Sequence, residues 1–144
     1  TATFSGSVSV NNELFVGGDI YTTAWTDYTT SSTIVGWVND PPATTAIIKY
    51  KKVGNLVFVV FNLDGTSNAT GTTFTLPHAS ASGQGFRGAM GFAMDNGSEI
   101  ATATKWALPA SSSTATCLPD MQSATAWTNS GRKIVEGQFW YEAG

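Results

Sequence analysis

His78 is the sole histidine of the 144-residue chain, and so the one imidazole that could act as base in a catalytic triad. Its possible nucleophiles are Ser80, two residues on, and Cys117, the single cysteine. His78 follows Leu76-Pro77 at an expected strand end, and no G-x-S-x-G elbow occurs anywhere. An ordinary loop histidine and a small buried apolar cysteine account for both residues better. Gly83-Gln84-Gly85-Phe86-Arg87-Gly88 matches G-x-G-x-x-G letter for letter. Dinucleotide binding needs a strand before that motif and a helix after it, so that phosphate meets a helix N-terminus. Here Pro77 and small residues precede it, and the alternating Met90, Phe92 and Met94 follow it. A loop is expected there, with no cofactor.

Glycosidase chemistry needs two carboxylates a few ångströms apart. The acids instead stand singly, as with Asp19, Asp27, Asp40, Asp120 and Glu136, and Asp64 and Asp95 sit in turn sequences. No D-x-D-x-D calcium loop occurs, so no metal is expected. What remains is aromatic. Trp25, Tyr28, Trp106 and Trp127 lie beside Thr/Ser/Asn-rich stretches, where exposed rings would stack on sugars, with Asn129 and Arg132 donating hydrogen bonds. The competing reading is that tryptophan in a β-sandwich is core or interface packing. Asn68-Ala69-Thr70 and Asn96-Gly97-Ser98 are formal glycosylation sequons that read as turns.

The elements that must position these residues are strands. No window carries apolar residues at helical spacing, and Thr, Ser and Gly interrupt every candidate. Ile48 and Tyr50 share one strand face, opposite Ile47, Lys49 and Lys51. Gly54-Asn55 then supplies a two-residue hairpin turn, since both residues tolerate positive φ. Leu56 to Leu63 is apolar on both faces, which predicts a central strand covered on each side by a second sheet or another subunit. Thr72 to Pro77 is a short strand closed by proline.

Farther on, Met90, Phe92 and Met94 are expected to face one way and Ala89, Gly91 and Ala93 the other. Asp95-Asn96-Gly97 is a type I′ turn signal leading into a strand over Glu99 to Lys105, which Trp106 to Pro109 ends. In the last segment Val135, Phe139 and Tyr141 oppose Ile134, Glu136, Gln138 and Trp140. Short strands with turns every 8–12 residues predict an all-β, jelly-roll-like antiparallel sandwich over residues 25–144. Residues 1–24 read as a stalk or linker of brief apolar beads, Phe4 to Val10 and Leu14 to Ile20, too small to close a core alone.

Composition narrows the function. Only 12% of residues are charged, about half the usual share, while the chain holds 21 Thr, 14 Ser and 15 Gly. A monomer of this size exposes about 7,000 Å², which leaves roughly 400 Å² for each charge. Cover so thin points to a surface facing another chain or a neutral ligand. Seven basic against ten acidic residues, with pI near 4.8, argue against nucleic acid. The longest apolar run, Leu56 to Phe61, is far short of a membrane span. Thr1 to Ser5 does not read as a signal peptide, and a start without Met points to processing or trimming. One free cysteine permits no intrachain disulfide and fits a reducing cytosol.

Val35-Gly36-Trp37, the hairpin Ile48-Lys49-Tyr50-Lys51-Lys52-Val53-Gly54-Asn55-Leu56-Val57-Phe58-Val59, then Gly65-Thr66-Ser67-Asn68 and Thr73-Phe74-Thr75-Leu76-Pro77 form a pattern. It resembles a β-rich domain of tailed-phage and prophage virion proteins: tail-fibre, receptor-binding and head-fibre proteins. The beads with Gly6, Val8, Val10, Leu14, Val16, Gly17 and Ile20 are similar to stalk repeats that precede such domains, so the likeness spans about residues 4–77. It implies a homotrimer on the virion surface that contacts other virion proteins and a host glycan or protein. It brings no catalytic residues with it. The alternatives are a capsid decoration protein and a carbohydrate-binding module of a larger enzyme.

Overall fold

The computed structural model describes residues 5–6, 24–121 and 126–144. Most of the stalk beads therefore lie outside the described residues. Those residues form strands and connecting loops with no helix, arranged as two antiparallel sheets packed face to face. The strands are β1 (Thr26–Asp27), β2 (Ile34–Val35), β3 (Thr45–Val53), β4 (Leu56–Thr66), β5 (Thr73–Thr75) and β6 (Phe86–Ala89). They continue as β7 (Phe92–Asp95), β8 (Ser98–Glu99), β9 (Lys105–Leu108), β10 (Thr114–Leu118) and β11 (Arg132–Glu142). One sheet has the order β1-β3-β4-β11-β7-β8 and the other β2-β5-β10-β9-β6.

The hairpin at Gly54-Asn55 closes β3 onto β4 from Val53↔Leu56 to Thr45↔Asp64, with Gly54 alone at positive φ. At Asn96-Gly97 both turn residues have positive φ, as a type I′ turn requires. Strand β4 is central, as its composition predicts, and pairs with β11 in unbroken register from Arg132↔Thr66 to Glu142↔Leu56. Its two faces fare differently. Val57, Val59, Phe61 and Leu63 point into the core, where each contributes roughly 1.5–3 kcal/mol by leaving water. Leu56 and Phe58 point outward and remain exposed, so among the described residues the second sheet covers one face of β4 and no element covers the other.

Aromatic packing fills the space between the sheets. Phe139 stacks on Trp106 at 4.1 Å, and Phe61 meets Phe74 at 5.0 Å. Gly88 and Gly137 make room for these rings: a Cβ would stand 2.8 Å from Trp106 Nε1 at the first and 3.0 Å from Phe61 Cζ at the second.

Two expected strands are divided differently. Ala89 to Met94 is not one strand with a methionine face, because the chain leaves one sheet after β6 and joins the other at β7. The core residues there are Met90, at the crossing, and Ala93, while Phe92 and Met94 are half-buried. The strand expected over Glu99 to Lys105 stops at Glu99, and Lys105–Leu108 forms its own strand in the second sheet. Local alternation cannot register such a crossing, since it keeps the same period on both sides of it.

Candidate interaction surface

The outward face of the six-stranded sheet follows from register alone. Residues opposite one another in an antiparallel pair share a face. Across β3, β4 and β11 this sets four rows: Ile47-Asn62-Glu136, Lys49-Val60-Gln138, Lys51-Phe58-Trp140 and Val53-Leu56-Glu142. The middle column is apolar apart from Asn62. Trp140 is 57% exposed, Leu56 40% and Phe58 37%. Trp25, 46% exposed and just ahead of β1, joins Phe58, Val60, Gln138 and Trp140 around a shallow depression of about 380 Å³. A second depression, of about 700 Å³, continues past Gln138 between Ile47, Asn62, Glu136 and the Met90-Gly91 crossing. Asn62 Nδ2 donates to Glu136 Oε2 at 3.2 Å, and the shielded Asn62 Oδ1 has no donor among the described residues. A buried acceptor left so costs about 1–3 kcal/mol.

The residues expected to bind ligand fall into three places. Trp25 lies on this face. Tyr28 is half-buried and packs edge-on to Tyr50 at 6.0 Å against the core. Trp106 and Trp127 are buried, at 5% and 2% exposure, and present no stacking face to solvent. Trp106 is held by Phe139, and Trp127 donates from Nε1 to the Cys117 carbonyl at 2.8 Å. Polar neighbours in sequence did not expose these rings: an inward position on β9 carries Trp106 to the core, and Trp127, in the loop before β11, is drawn in by its bonds to the Cys117 and Thr70 carbonyls. Asn129 is exposed in the turn before β11. Arg132 opens that strand and makes a bidentate contact with Asp64, at 3.0 and 2.8 Å. Arg132 and Trp140 are eight residues apart on one strand, roughly 27 Å, so these residues do not form one site.

Lys133 is the buried group that reading for exposed chemistry missed. It is fully buried, donates from Nζ to the Gly36 carbonyl at 2.6 Å, and lies 4.5 Å from the Trp37 ring centre and 5.8 Å from that of Trp127. The ammonium is held by ring faces and a carbonyl, and among the described residues no carboxylate bonds to it. Burial holds its pKa down to about 8, against the upward pull of Asp95 and Asp40. The alternation that puts Val135, Phe139 and Tyr141 inward also puts Lys133 inward, and that was the available signal.

The groups considered for catalysis are engaged structurally. Ser80 Oγ donates to the Pro109 carbonyl at 2.6 Å. Cys117 is buried in the core, which pushes its thiol up to about 12. His78 packs edge-on to Tyr50, and partial burial, with Lys52 nearby, lowers its pKa. Asp95 accepts from both the backbone N–H and the hydroxyl of Thr128. The glycine-rich segment runs into β6, with no helix after it. Among the described residues no three His, Cys, Asp or Glu side chains converge to hold a metal. No family model, curated protein or solved structure matches the chain.

Proposed function

We propose that the chain is a non-enzymatic surface module of a tailed-phage virion, the tip of a tail fibre, receptor-binding protein or head fibre. It works as a homotrimer displayed on the particle and attaches to a host-surface glycan or protein. One observation carries the reading: among the described residues the sandwich leaves an apolar column of its central strand exposed on the outward face of the six-stranded sheet. A subunit of a larger assembly is built that way, because partner chains remove such a column from water. The resemblance over residues 4–77 supplies the virion context. Asn129 and the neighbouring turn, at the other end of β11, stay available for the host.

The test is adsorption of the purified chain to host cells and envelope glycans, with the mass in solution measured by light scattering. Saturable cell binding that competes with phage adsorption, at three times 15.1 kDa, is the expected result. Binding to capsids and none to cells would replace it with the decoration reading.

One observation favours a second reading, a carbohydrate-binding module of a larger enzyme. Trp25 and Trp140 stand half-exposed beside the Gln138 amide around the smaller depression, which suits a sugar ring stacked on indole. That reading predicts a monomer near 15 kDa with affinity for polysaccharide.

A further inference from the structure

The outward face of the six-stranded sheet divides its charges across its apolar column. The β3 side carries Lys49 and Lys51, and the β11 side carries Glu136 and Glu142 with Trp140 between them, while Arg132 at the start of β11 is paired with Asp64. Asp27, on β1, lies opposite Lys49, whereas Lys51 lies opposite Phe58. A surface with cations along one side of an apolar stripe and anions along the other is complementary to a copy of itself. The axis relating the copies is also constrained. An axis parallel to the strands brings β3 of one copy against β11 of the next and keeps the rows level. An axis across the strands would set lysine over lysine and glutamate over glutamate.

Edge-to-edge growth is blunted, because the outermost strands of this sheet, β1 and β8, have two residues each. That leaves the face. The three long strands β3, β4 and β11, by eight residues, cover roughly 400 Å² in projection, and the side chains standing proud of it add accessible area. This is the footprint of a small specific interface, for which about 800 Å² of accessible surface per partner is typical.

We propose that copies of this chain meet through this face, with β3 of one against β11 of the next. Leu56, Phe58 and Val60 form the dry centre. Lys51 of one copy lies over Trp140 of its neighbour, as a cation over an indole, and one row from its Glu142. This rests on the assembly reading above, and names the partner and the orientation that it leaves open.

Light scattering on the full chain, with charge-swapped variants, tests it. The wild type should have two or three times the mass of one chain. Lys51→Glu alone and Glu142→Lys alone should each weaken self-association at least tenfold, while circular dichroism shows the sheet intact. The double variant Lys51→Glu/Glu142→Lys should regain most of the loss, because it restores the pair with the signs exchanged. Phe58→Ser should also dissociate the copies.

A mass of two chains that responds to the swaps sustains this face and removes the homotrimer. A stable trimer indifferent to every one of these variants overturns the face and leaves the virion reading standing. A monomer at all attainable concentrations overturns the interface. If that monomer also binds polysaccharide and loses it on Trp140→Ala, the depression is a sugar site.

Discussion

The two outer faces of the sandwich share a strand period and almost nothing else. On the five-stranded sheet the outward positions include Thr73, Thr75, Thr114, Thr116, Ala107 and Lys105, with Thr75 opposite Thr114 and Thr73 opposite Thr116, and they are joined by Val35 at one edge, Leu118 opposite Lys105 and Arg87 opposite Ala107. Their hydroxyls and short methyl-bearing side chains leave that face half-covered and compatible with water. On the six-stranded sheet the outward column of β4 is Leu56, Phe58 and Val60, flanked by Trp140 and by lysines and glutamates on opposite sides. Among the described residues one face is mostly hydroxyl-bearing, and the other exposes a continuous apolar column. The low charge content is common to both, so composition alone could not separate them.

Four comparisons would break or sharpen this contrast. The largest effect belongs to the inner side of β4. Phe61→Ala should lose about 3–5 kcal/mol in urea unfolding, because Phe61 is buried against Phe74 and Phe139. The same change at outward Phe58 should cost under about 1 kcal/mol in the dissociated chain and act on association instead. Equal losses at both positions would show the outward face to be part of the fold's own core.

Gly36→Ala comes next, at roughly 2–4 kcal/mol. Gly36 has φ of 123°, and an added Cβ would stand 2.6 Å from the Gly71 carbonyl and 2.9 Å from Lys133 Nζ. Unchanged thermal stability would mean that the Lys133 enclosure yields easily.

The third concerns that enclosure and pH. Lys133 is held at about 8 in the fold, below its ordinary value of 10.5. Between those values the unfolded chain binds more protons than the folded one, so this residue's contribution to stability rises with pH. The buried thiol of Cys117 and the buried phenol of Tyr141 are both raised and act in the opposite sense at higher pH. The informative quantity is therefore the wild type relative to Lys133→Met. The wild type should gain on the variant from pH 8 upward, and a flat difference across that window would refute the lowering of the Lys133 pKa by burial.

The smallest effect is on the hydroxyl face. Thr116→Ala should shift stability by no more than about 0.5 kcal/mol and leave the solution mass unchanged. A change of mass would move the interface to the other sheet.

Much of the fold was legible because it is local. The Gly54-Asn55 and Asn96-Gly97 turns, the alternation on β3 and the inward set Val135, Phe139 and Tyr141 need only neighbouring residues to declare themselves. The site was less legible. Trp106 lies inward on β9 and in the core, while Trp140 lies outward on β11 and joins Trp25 as an exposed indole. What decides the matter is the parity of each position in its strand and which sheet lies across from it. Lys133 shows the same limit: its carbonyl partner, Gly36, is 97 residues away.

The sequence by itself determined that the chain is all-β, where its tight turns fall, and that β4 is central with apolar residues on both faces. Those properties follow from period-two alternation and turn chemistry, which act over a few residues. Tertiary structure alone decided which face of β4 is dry, which tryptophans are buried, and that Lys49 and Lys51 flank the apolar column opposite Glu136 and Glu142. Such outcomes depend on pairing β4 with β11 across some seventy residues of chain, and no local pattern encodes that register.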